Sequence, residues 1–122
     1  MHATLARPAR LLLASLAVVG LAACGGGSTQ PDTTPQPTAT VNATNSLQFT
    51  PTPVRLTVGG TVTFKFGSIE HTVFFDNAPP GAPANIPNLT SNTSVTRTFG
   101  TAGTFVYNCH IHPGMSGTII VE

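Results

Sequence analysis

The feature that most constrains the fold is a series of short apolar runs, broken by Gly, Pro or Asn, that extends from residue 41 to residue 122. The runs are rich in Val, Ile, Thr and Phe, which favour strands, and none shows helical periodicity of useful length. We therefore predict an all-β domain at 41–122, a small antiparallel sandwich of seven to eight strands. The predicted strands are 41–44, 46–50, 53–58, 61–66, 71–76, 93–98, 103–109 and 116–121.

Glycine and proline punctuate these strands. The stretches "VGGT" (58–61) and "GTAG" (100–103) are typical of hairpin turns. The stretch 76–92 has four prolines and few hydrophobic residues, so it predicts a long surface loop. Loops of that length without secondary structure are often functional or mobile.

The N-terminus has the composition of a secretion signal. Two arginines precede an apolar run, residues 11–21, that is too short to span a bilayer. The "LAAC" that follows resembles the bacterial lipobox, where a signal peptidase cuts before a cysteine that carries lipid. The resemblance predicts a lipoprotein signal peptide at 1–23 and lipidation of Cys24. Several acyl chains on this residue would anchor the protein strongly to a membrane.

The segment 24–40 begins with this cysteine and contains no aliphatic residue larger than alanine. Such a segment cannot bury enough apolar surface to offset its ordering entropy, so we predict a flexible linker. The protein is then expected in the cell envelope, lipid-anchored at the periplasmic or extracytoplasmic face. An aspartate directly after the lipidated cysteine would favour retention in the inner membrane, but Gly25 occupies that position. The absence of the aspartate favours the outer membrane if the organism is Gram-negative.

The charge of the chain and its two cysteines limit the functions that it can have. Charged residues make up 7% of the chain, so binding of nucleic acid through a basic patch is not expected. With Cys24 lipidated, Cys109 is left alone in a compartment that favours disulfides. A single thiol there forms an intermolecular bridge, lies buried and inert, or binds a metal. We expect a monomer.

The stretch "YNCHIHPGM" (107–115) contains four potential metal ligands. Successive side chains of a strand point to opposite faces, so His110 should point away from Cys109. His112 lies beyond the predicted strand end, and "HPG" is typical of a tight turn that brings Met115 back. Cys109, His112 and Met115 can therefore converge, whereas His110 is interpreted as a surface or sheet-packing residue. A lesser alternative for His110 is a group that couples to the redox centre of a partner.

A further ligand must come from elsewhere in the chain. His71, in "IEHTVFFD", is the remaining histidine of the mature sequence and begins a predicted strand. Two imidazoles, a thiolate and a weak axial thioether describe a blue copper site. Zinc is the main competitor, but it seldom needs a thioether. A cysteine hydrolase is poorly supported because Met115 would have no role in it.

Four stretches carry a resemblance to a known family: "FTPTPVRLTVGGTVTF" (49–64), "HTVFF" (71–75), "FGTAGTFVYNCHIHPGM" (99–115) and "GTIIV" (117–121). They resemble the cupredoxins of the plastocyanin, pseudoazurin and amicyanin group. The resemblance implies a Greek-key β-sandwich that carries one type 1 copper and transfers electrons without being an enzyme. The copper ligands that it implies are His71, Cys109, His112 and Met115. Thr72 departs from the pattern, because several family members have there an asparagine that braces the ligand loop.

The resulting functional hypothesis is a membrane-tethered extracytoplasmic electron carrier that cycles copper between Cu(I) and Cu(II). The resemblance implies that redox partners dock near His112, on a patch bordered by Pro113 and Gly114 and by the prolines of the 76–92 loop (Pro79, Pro80 and Pro83). The alternative is that these prolines only rigidify turns. One alternative is a lipoprotein that binds or delivers copper without an electron-transfer role. Another is a metal-free β-sandwich for adhesion or envelope structure.

Overall fold

The protein is described here by a computed structural model, in which residues 33–122 are placed. Within that range every regular element is a strand, which confirms the predicted all-β class. The signal peptide predicted at 1–23, Cys24 and the first part of the predicted linker lie outside the described residues. No helix in the described range is long and apolar enough to cross a membrane. The strands are β1 (Gln36–Ala43), β2 (Phe49–Thr50), β3 (Val54–Phe66), β4 (His71–Val73), β5 (Ile86–Thr90), β6 (Ser94–Phe99), β7 (Gly103–Asn108) and β8 (Ser116–Val121).

The long strand β3 organises the sandwich. Its first part pairs with β8 in parallel, from Val54 to Leu56, and its second part pairs with β6 in antiparallel fashion, from Gly60 to Lys65. β1 lies parallel to β3 and carries the two-residue strand β2 on its other side. β7 continues the sheet beyond β8, and β4 and β5 form a separate pair. One strand thus links the two layers that enclose the core.

The turn predicted at 58–61 lies within the bounds of β3 but is not a hairpin, because its two arms pair with β8 and β6 and not with each other. Gly59 has a φ of +83°, and the pairing register between β1 and β3 shifts at this level. A Cβ atom on Gly60 would lie 2.8 Å from the Thr57 carbonyl oxygen and 3.0 Å from that of Pro37. Residues 54–56 run with β8 away from the pole where β7 ends, and residues 60–65 run back towards it beside β6, so the two glycines reverse the chain as it passes from one layer to the other.

The predicted turn at 100–103 connects β6 to β7, but these two strands do not pair with each other, so it is not a hairpin. The prediction of a structureless loop at 76–92 is also wrong in part, since β5 lies within it and pairs with β4. Arg97 fixes the loop by donating to the carbonyl oxygens of Ala84 and Asn85 at 2.7 and 2.9 Å.

The domain begins earlier than predicted. β1 starts at Gln36, so residues 36–40 of the predicted linker belong to the sheet. They pair with β3 through main-chain hydrogen bonds, which require no large side chains. The lack of large aliphatic side chains in residues 36–40 therefore does not mark a linker, and the domain boundary lies at Gln36.

Tyr107 lies at the centre of an aromatic core. Its ring packs against those of Phe49, Phe64 and Phe75, with centroid separations of 4.9, 5.3 and 5.9 Å. The pairs with Phe49 and Phe64 are edge-to-face, and such pairs contribute about 0.5–1.5 kcal/mol beyond the burial of their area. The ring also covers Gly117, where a Cβ atom would lie 2.2 Å from the tyrosine hydroxyl. Tyr107 is fully buried and occupies the space that a larger residue at 117 would need.

The strand directions define two poles. Ala43, Phe66 and Asn108 end β1, β3 and β7 at one pole, next to His71 and the loop that begins at Cys109. Gln36 and Gly103 lie at the opposite pole, where β1 and β7 begin. At about 3.3 Å per residue, the strands separate the poles by roughly 20–25 Å. The chain therefore enters the domain far from the cluster of potential ligands.

Candidate metal centre

The structure brings three of the four predicted ligands together. His71 begins β4, Cys109 directly follows β7, and His112 lies in the loop that leads to β8. One potential ligand atom from each residue lies within 4.8 Å of the other two. His71 and Cys109 are buried, and His112 is partly exposed. The prediction that His71 completes the cluster from a distant strand is consistent with this geometry.

The distances between the donor atoms suit a single metal ion. The two Nδ1 atoms lie 3.1 Å apart, and the Cys109 Sγ atom lies 3.4 Å from the Nδ1 of His112 and 4.0 Å from the Nδ1 of His71. Metal–nitrogen bonds of about 2.0–2.1 Å and metal–thiolate bonds of about 2.3 Å place such donors roughly 3.3–3.8 Å apart. The triangle therefore needs only small adjustments to hold an ion.

The ligand loop is closed by two hydrogen bonds. The amide of Met115 donates to the carbonyl oxygen of His112 at 3.1 Å, and the amide of Cys109 donates to that of Met115 at 2.9 Å. Pro113 and Gly114 occupy the central positions of the first turn, where Gly114 has a φ of +83°. A type II turn requires that conformation, so the predicted tight turn is confirmed. Met115 is buried beside the cluster, and its role as an axial ligand stays a prediction.

His71 is held ready to bind as a neutral imidazole. Burial lowers the pKa of His71, and the electrostatic influence of the neighbouring His112 ring lowers it further. The Thr44 backbone raises the pKa of His71 and so opposes these two effects. The buried Nε2 atom of His71 has no partner at ordinary hydrogen-bond geometry within the described residues. A metal ion competes with protons for imidazole nitrogen, so a lowered pKa favours metal binding.

Cys109 receives hydrogen bonds from a residue that the sequence did not assign to the site. The main-chain amide of Thr72 lies 3.5 Å from the Cys109 Sγ atom, and its hydroxyl oxygen lies 3.8 Å from it. The same hydroxyl accepts a hydrogen bond from the amide of His110 at 2.9 Å. The position of Thr72 directly after His71 was the available signal, but its bonds cross between strands that are far apart in the sequence.

His110 points away from the cluster, as strand alternation predicts. Tyr107 and Cys109 are buried, whereas the side chain of His110 is 45% exposed. Its ring stacks on that of Phe74 with a centroid separation of 3.7 Å, and its Nε2 atom lies 2.5 Å from an Asp76 carboxylate oxygen. No sequence pattern predicted this pair, since 34 residues separate its members.

The prolines of the 76–92 loop do not border the His112 surface as expected. Pro79 lies within 3.5 Å of the Cβ position of Gly103, at the start of β7, and Gly81 packs against Thr101. That part of the loop therefore lies at the pole opposite the ligands. The segment from Phe74 to Pro79 follows the edge of β7 from one pole to the other.

Comparison with known proteins decides the family. Residues 36–122 match the copper binding proteins of the plastocyanin/azurin family. The chain belongs to this family. A comparison of this cupredoxin with curated protein sequences gave no match.

Solved structures agree with this assignment. A reduced Cu(I) form of an amicyanin variant at pH 4 superposes with a TM-score of 0.58 and 28% identity, over 74% of this chain and 87% of that chain. A second reduced amicyanin variant gives a TM-score of 0.60 and 28% identity, over 70% of this chain and 82% of that chain. The copper-containing nitrite reductase of Thermus scotoductus gives a TM-score of 0.60 and 27% identity, over 82% of this chain but 24% of that chain.

The family and the donor set together identify the ion as a single type 1 copper. A thiolate suits Cu(I), and imidazole accommodates both oxidation states. The predicted cofactor is therefore confirmed. In this cupredoxin His71, Cys109 and His112 would hold the ion.

Proposed function

We propose that this cupredoxin is a one-electron carrier, held at the extracytoplasmic face of a membrane by lipid on Cys24, and that it is not an enzyme. The observation that carries the proposal is the uneven burial of the donor residues. His71, Cys109 and Met115 have relative exposures of 0%, 4% and 3%, whereas His112 reaches the surface in part. A bound copper ion supplies the one-electron couple, and the His112 ring offers the short route to a partner.

The surface around His112 suits brief contacts with another protein. Ile111, which precedes it, is 42% exposed, and Leu47 is 43% exposed. Leu47 lines a shallow depression together with Gly114 and Met115, and none of the residues that line it is charged. Exposed apolar surface of this kind often marks an interaction site. We propose that extracytoplasmic redox proteins dock here.

The rigidity of the ligand loop favours electron transfer over copper delivery. Both hydrogen bonds that close the loop are main-chain bonds, and the loop is joined to β7 and β8, which pair up to Asn108 and Ser116. Fixed donors need little rearrangement when the charge of the ion changes. A delivery protein would instead need donors that release the ion readily, and the burial of Cys109 opposes that release.

The position of the first strand supports the proposed tether. Gln36 lies at the pole opposite His112, so a chain that runs from Cys24 into β1 leaves the ligand pole facing away from the anchor. The chain between Cys24 and Gln36 can span at most about 40 Å when fully extended. A partner could therefore reach the His112 surface without displacing the domain from the membrane.

Carrier and delivery roles can be separated with one preparation of copper-loaded protein. Cyclic voltammetry should give a reversible one-electron wave, and a strong Cu(I) chelator should remove the metal only over hours. The delivery alternative predicts the reverse, with rapid transfer to the chelator and poor reversibility.

For the anchor, Cys24→Ala should move the protein from the membrane fraction to the soluble fraction. An unchanged distribution would contradict lipidation at Cys24.

A further inference from the structure

Asn45 joins two segments that lie far apart in the sequence. It belongs to the loop between β1 and β2, and its side chain bonds the segment 67–70, which leads from β3 to His71. Its Oδ1 atom accepts from the amides of Ser68 and Ile69 at 3.1 and 3.4 Å, and its Nδ2 atom donates to the Ser68 hydroxyl at 2.8 Å. One carboxamide therefore holds the chain two residues before a buried metal ligand.

The chemistry of an amide decides the direction of these bonds. Main-chain amides can only donate, so the side-chain oxygen of Asn45 faces them, and its NH2 group faces the Ser68 hydroxyl, which can accept. Asn45 is exposed, so water competes for these bonds and each one contributes modestly. Because two of the bonds hold successive amides, they act together on one short segment.

The loop that carries Asn45 is itself held in place. The amide of Thr44 donates to the carbonyl oxygen of Gln48 at 2.9 Å, and the amide of Leu47 donates to that of Thr44 at 3.0 Å. A side chain can position another segment only if its own backbone is fixed. The two bonds meet that condition for Asn45.

The carboxamide of Asn45 also lies against Gly67. A Cβ atom on Gly67 would lie 2.6 Å from the Oδ1 atom of Asn45, whereas the Ala43 carbonyl oxygen would lie at an ordinary 3.5 Å. A methyl group at position 67 would therefore displace the Asn45 side chain and leave its other neighbours in place. The contact offers a way to break the Asn45 bonds without changing Asn45.

We propose that Asn45 is a positioning residue for the copper centre, whose carboxamide fixes the segment 67–70 and so the place of His71. The ring of His71 is fully buried, so it has little room to leave a bound ion unless its backbone moves. A looser segment would weaken the bond from His71, which stabilises Cu(II) more than Cu(I), since Cu(I) prefers sulfur donors. The inference concerns the copper site itself and holds whether the protein carries or delivers copper.

Two substitutions remove the Asn45 bonds in different ways in the copper-loaded protein. Asn45→Ala deletes the carboxamide, and Gly67→Ala displaces it. Each should speed copper transfer from the reduced protein to excess bicinchoninate, a Cu(I) chelator, about three- to tenfold, and shift the redox equilibrium about two- to fivefold towards Cu(I). The double variant should match Asn45→Ala in both measurements, because the added methyl group then meets no carboxamide.

Asn42 provides the matched control. It is an exposed asparagine whose side chain also bonds the main chain, by donating to the Thr50 carbonyl oxygen at 3.3 Å, but this bond holds β2 instead of the segment 67–70. Asn42→Ala should have the native transfer rate and potential. Asn45→Asp keeps an oxygen for the two amides, and the Ser68 hydroxyl can donate to the second carboxylate oxygen. Asn45→Asp should therefore transfer copper at the rate of Asn42→Asp, which carries the same added charge.

A further measurement needs no metal. Hydrogen–deuterium exchange at the amides of Ser68 and Ile69 in the metal-free protein should accelerate at least about fivefold in Asn45→Ala and in Gly67→Ala. It should return towards the native rate in Asn45→Asp. If Asn45→Ala does not fold, Asn45→Ser removes the same carboxamide and replaces it in every measurement.

Three results would overturn the proposal. The first is a transfer rate and a potential for Asn45→Ala that match Asn42→Ala. The second is an effect of Gly67→Ala that is as large in the Asn45→Ala background as in the native protein, because Asn45 would then not mediate it. The third is native exchange at Ser68 and Ile69 in Asn45→Ala, because the carboxamide would then not hold the segment.

Discussion

The Nδ1 atoms of His71 and His112 lie 3.1 Å apart, although 41 residues separate the two histidines in the chain. The bridge between Phe74 and Asn108 brings β4 beside the end of β7, and the turn through Pro113 and Gly114 returns His112 to the same point. Two protonated imidazoles at this separation would repel each other. The two nitrogen atoms can therefore share one metal cation, whereas protonation of both rings at once is unfavourable.

This pair should make the metal-free protein sensitive to acid. The pKa of His71 is lowered in the folded state, by burial first and then by His112, relative to its ordinary value of 6.5. Below about pH 6.5 the unfolded chain gains a proton at this position that the folded chain resists, so stability is lost as the pH falls. Above that pH both states are neutral and the contribution is absent.

Urea unfolding of the metal-free protein at pH 8, 6.5 and 5 measures this effect. The free energy of unfolding should decrease between pH 6.5 and pH 5 and change less between pH 8 and pH 6.5. In His71→Gln the decrease should be smaller. An equal decrease in the variant would assign the acid sensitivity to other groups.

The two histidines that flank Ile111 should behave differently when replaced. His112→Ala should remove a ligand and bleach the visible copper band. His110→Ala should leave the band in place, because its ring contacts Phe74 and Asp76 on the surface. It should cost about 1 kcal/mol of stability, the sum of an exposed hydrogen bond and a stacking contact. Absorption spectra of the two variants in equimolar Cu(II) provide the comparison, and the opposite pattern would refute the ligand assignment.

Cys109 should be indispensable for the colour of the protein. Cys109→Ser replaces the thiolate with a hydroxyl, which is a poor ligand for Cu(I) and has no thiolate-to-copper transition. The intense visible band should disappear even where some Cu(II) remains bound. Copper content measured on the same sample separates loss of colour from loss of metal, and a coloured serine variant would contradict the role of Cys109.

Gly117 should tolerate no side chain beneath Tyr107. A Cβ atom there would lie 2.2 Å from the tyrosine hydroxyl and 2.3 Å from the ring carbon that bears it. Overpacking of a core usually costs about 1–3 kcal/mol, and these contacts place Gly117→Ala at the upper end or beyond. Gly100→Ala is the control, because no atom lies within 4 Å of its Cβ position. Chemical denaturation should show a large loss of stability for Gly117→Ala and almost none for Gly100→Ala.

The Tyr107 hydroxyl should contribute little to stability. It is buried without a hydrogen-bond partner in the described part of the chain, and burial raises the pKa of Tyr107. Replacing an unpaired buried polar group with an apolar one is neutral or stabilising. Tyr107→Phe should therefore have at least the native free energy of unfolding. A loss above about 1 kcal/mol would indicate a partner for the hydroxyl.

The parts of the site that the sequence predicted are those set by local rules. Strand alternation separates Cys109 from His110 over two residues, and the Pro113–Gly114 pair determines a turn of known geometry. Donor chemistry and the small number of histidines together predict His71 as the further ligand. The contacts of Thr72 and Asp76 depend on how distant strands are placed, and no local pattern encodes that.

The fold was harder to predict wherever one residue type serves two structures. Gly59 and Gly60 suit either a hairpin or a turn that carries the chain from one layer to the other, and only the pairing of the two parts of β3 with β8 and β6 distinguishes these structures. Pro87 argued against a strand, yet β5 pairs with β4 only through Ile86 and Thr90 in an irregular register. The missing amide of Pro87 therefore removes no pairing bond.

The most direct test of the account is the Cu(II) spectrum of residues 24–122 with Cys24→Ser, in which Cys109 is the remaining thiol. One equivalent of Cu(II) should produce an intense visible thiolate-to-copper band and an EPR signal with narrow copper hyperfine splitting. A protein that fails to bind copper, or that binds it with the weak colour and wide splitting of tetragonal Cu(II), would contradict a type 1 site formed by His71, Cys109 and His112.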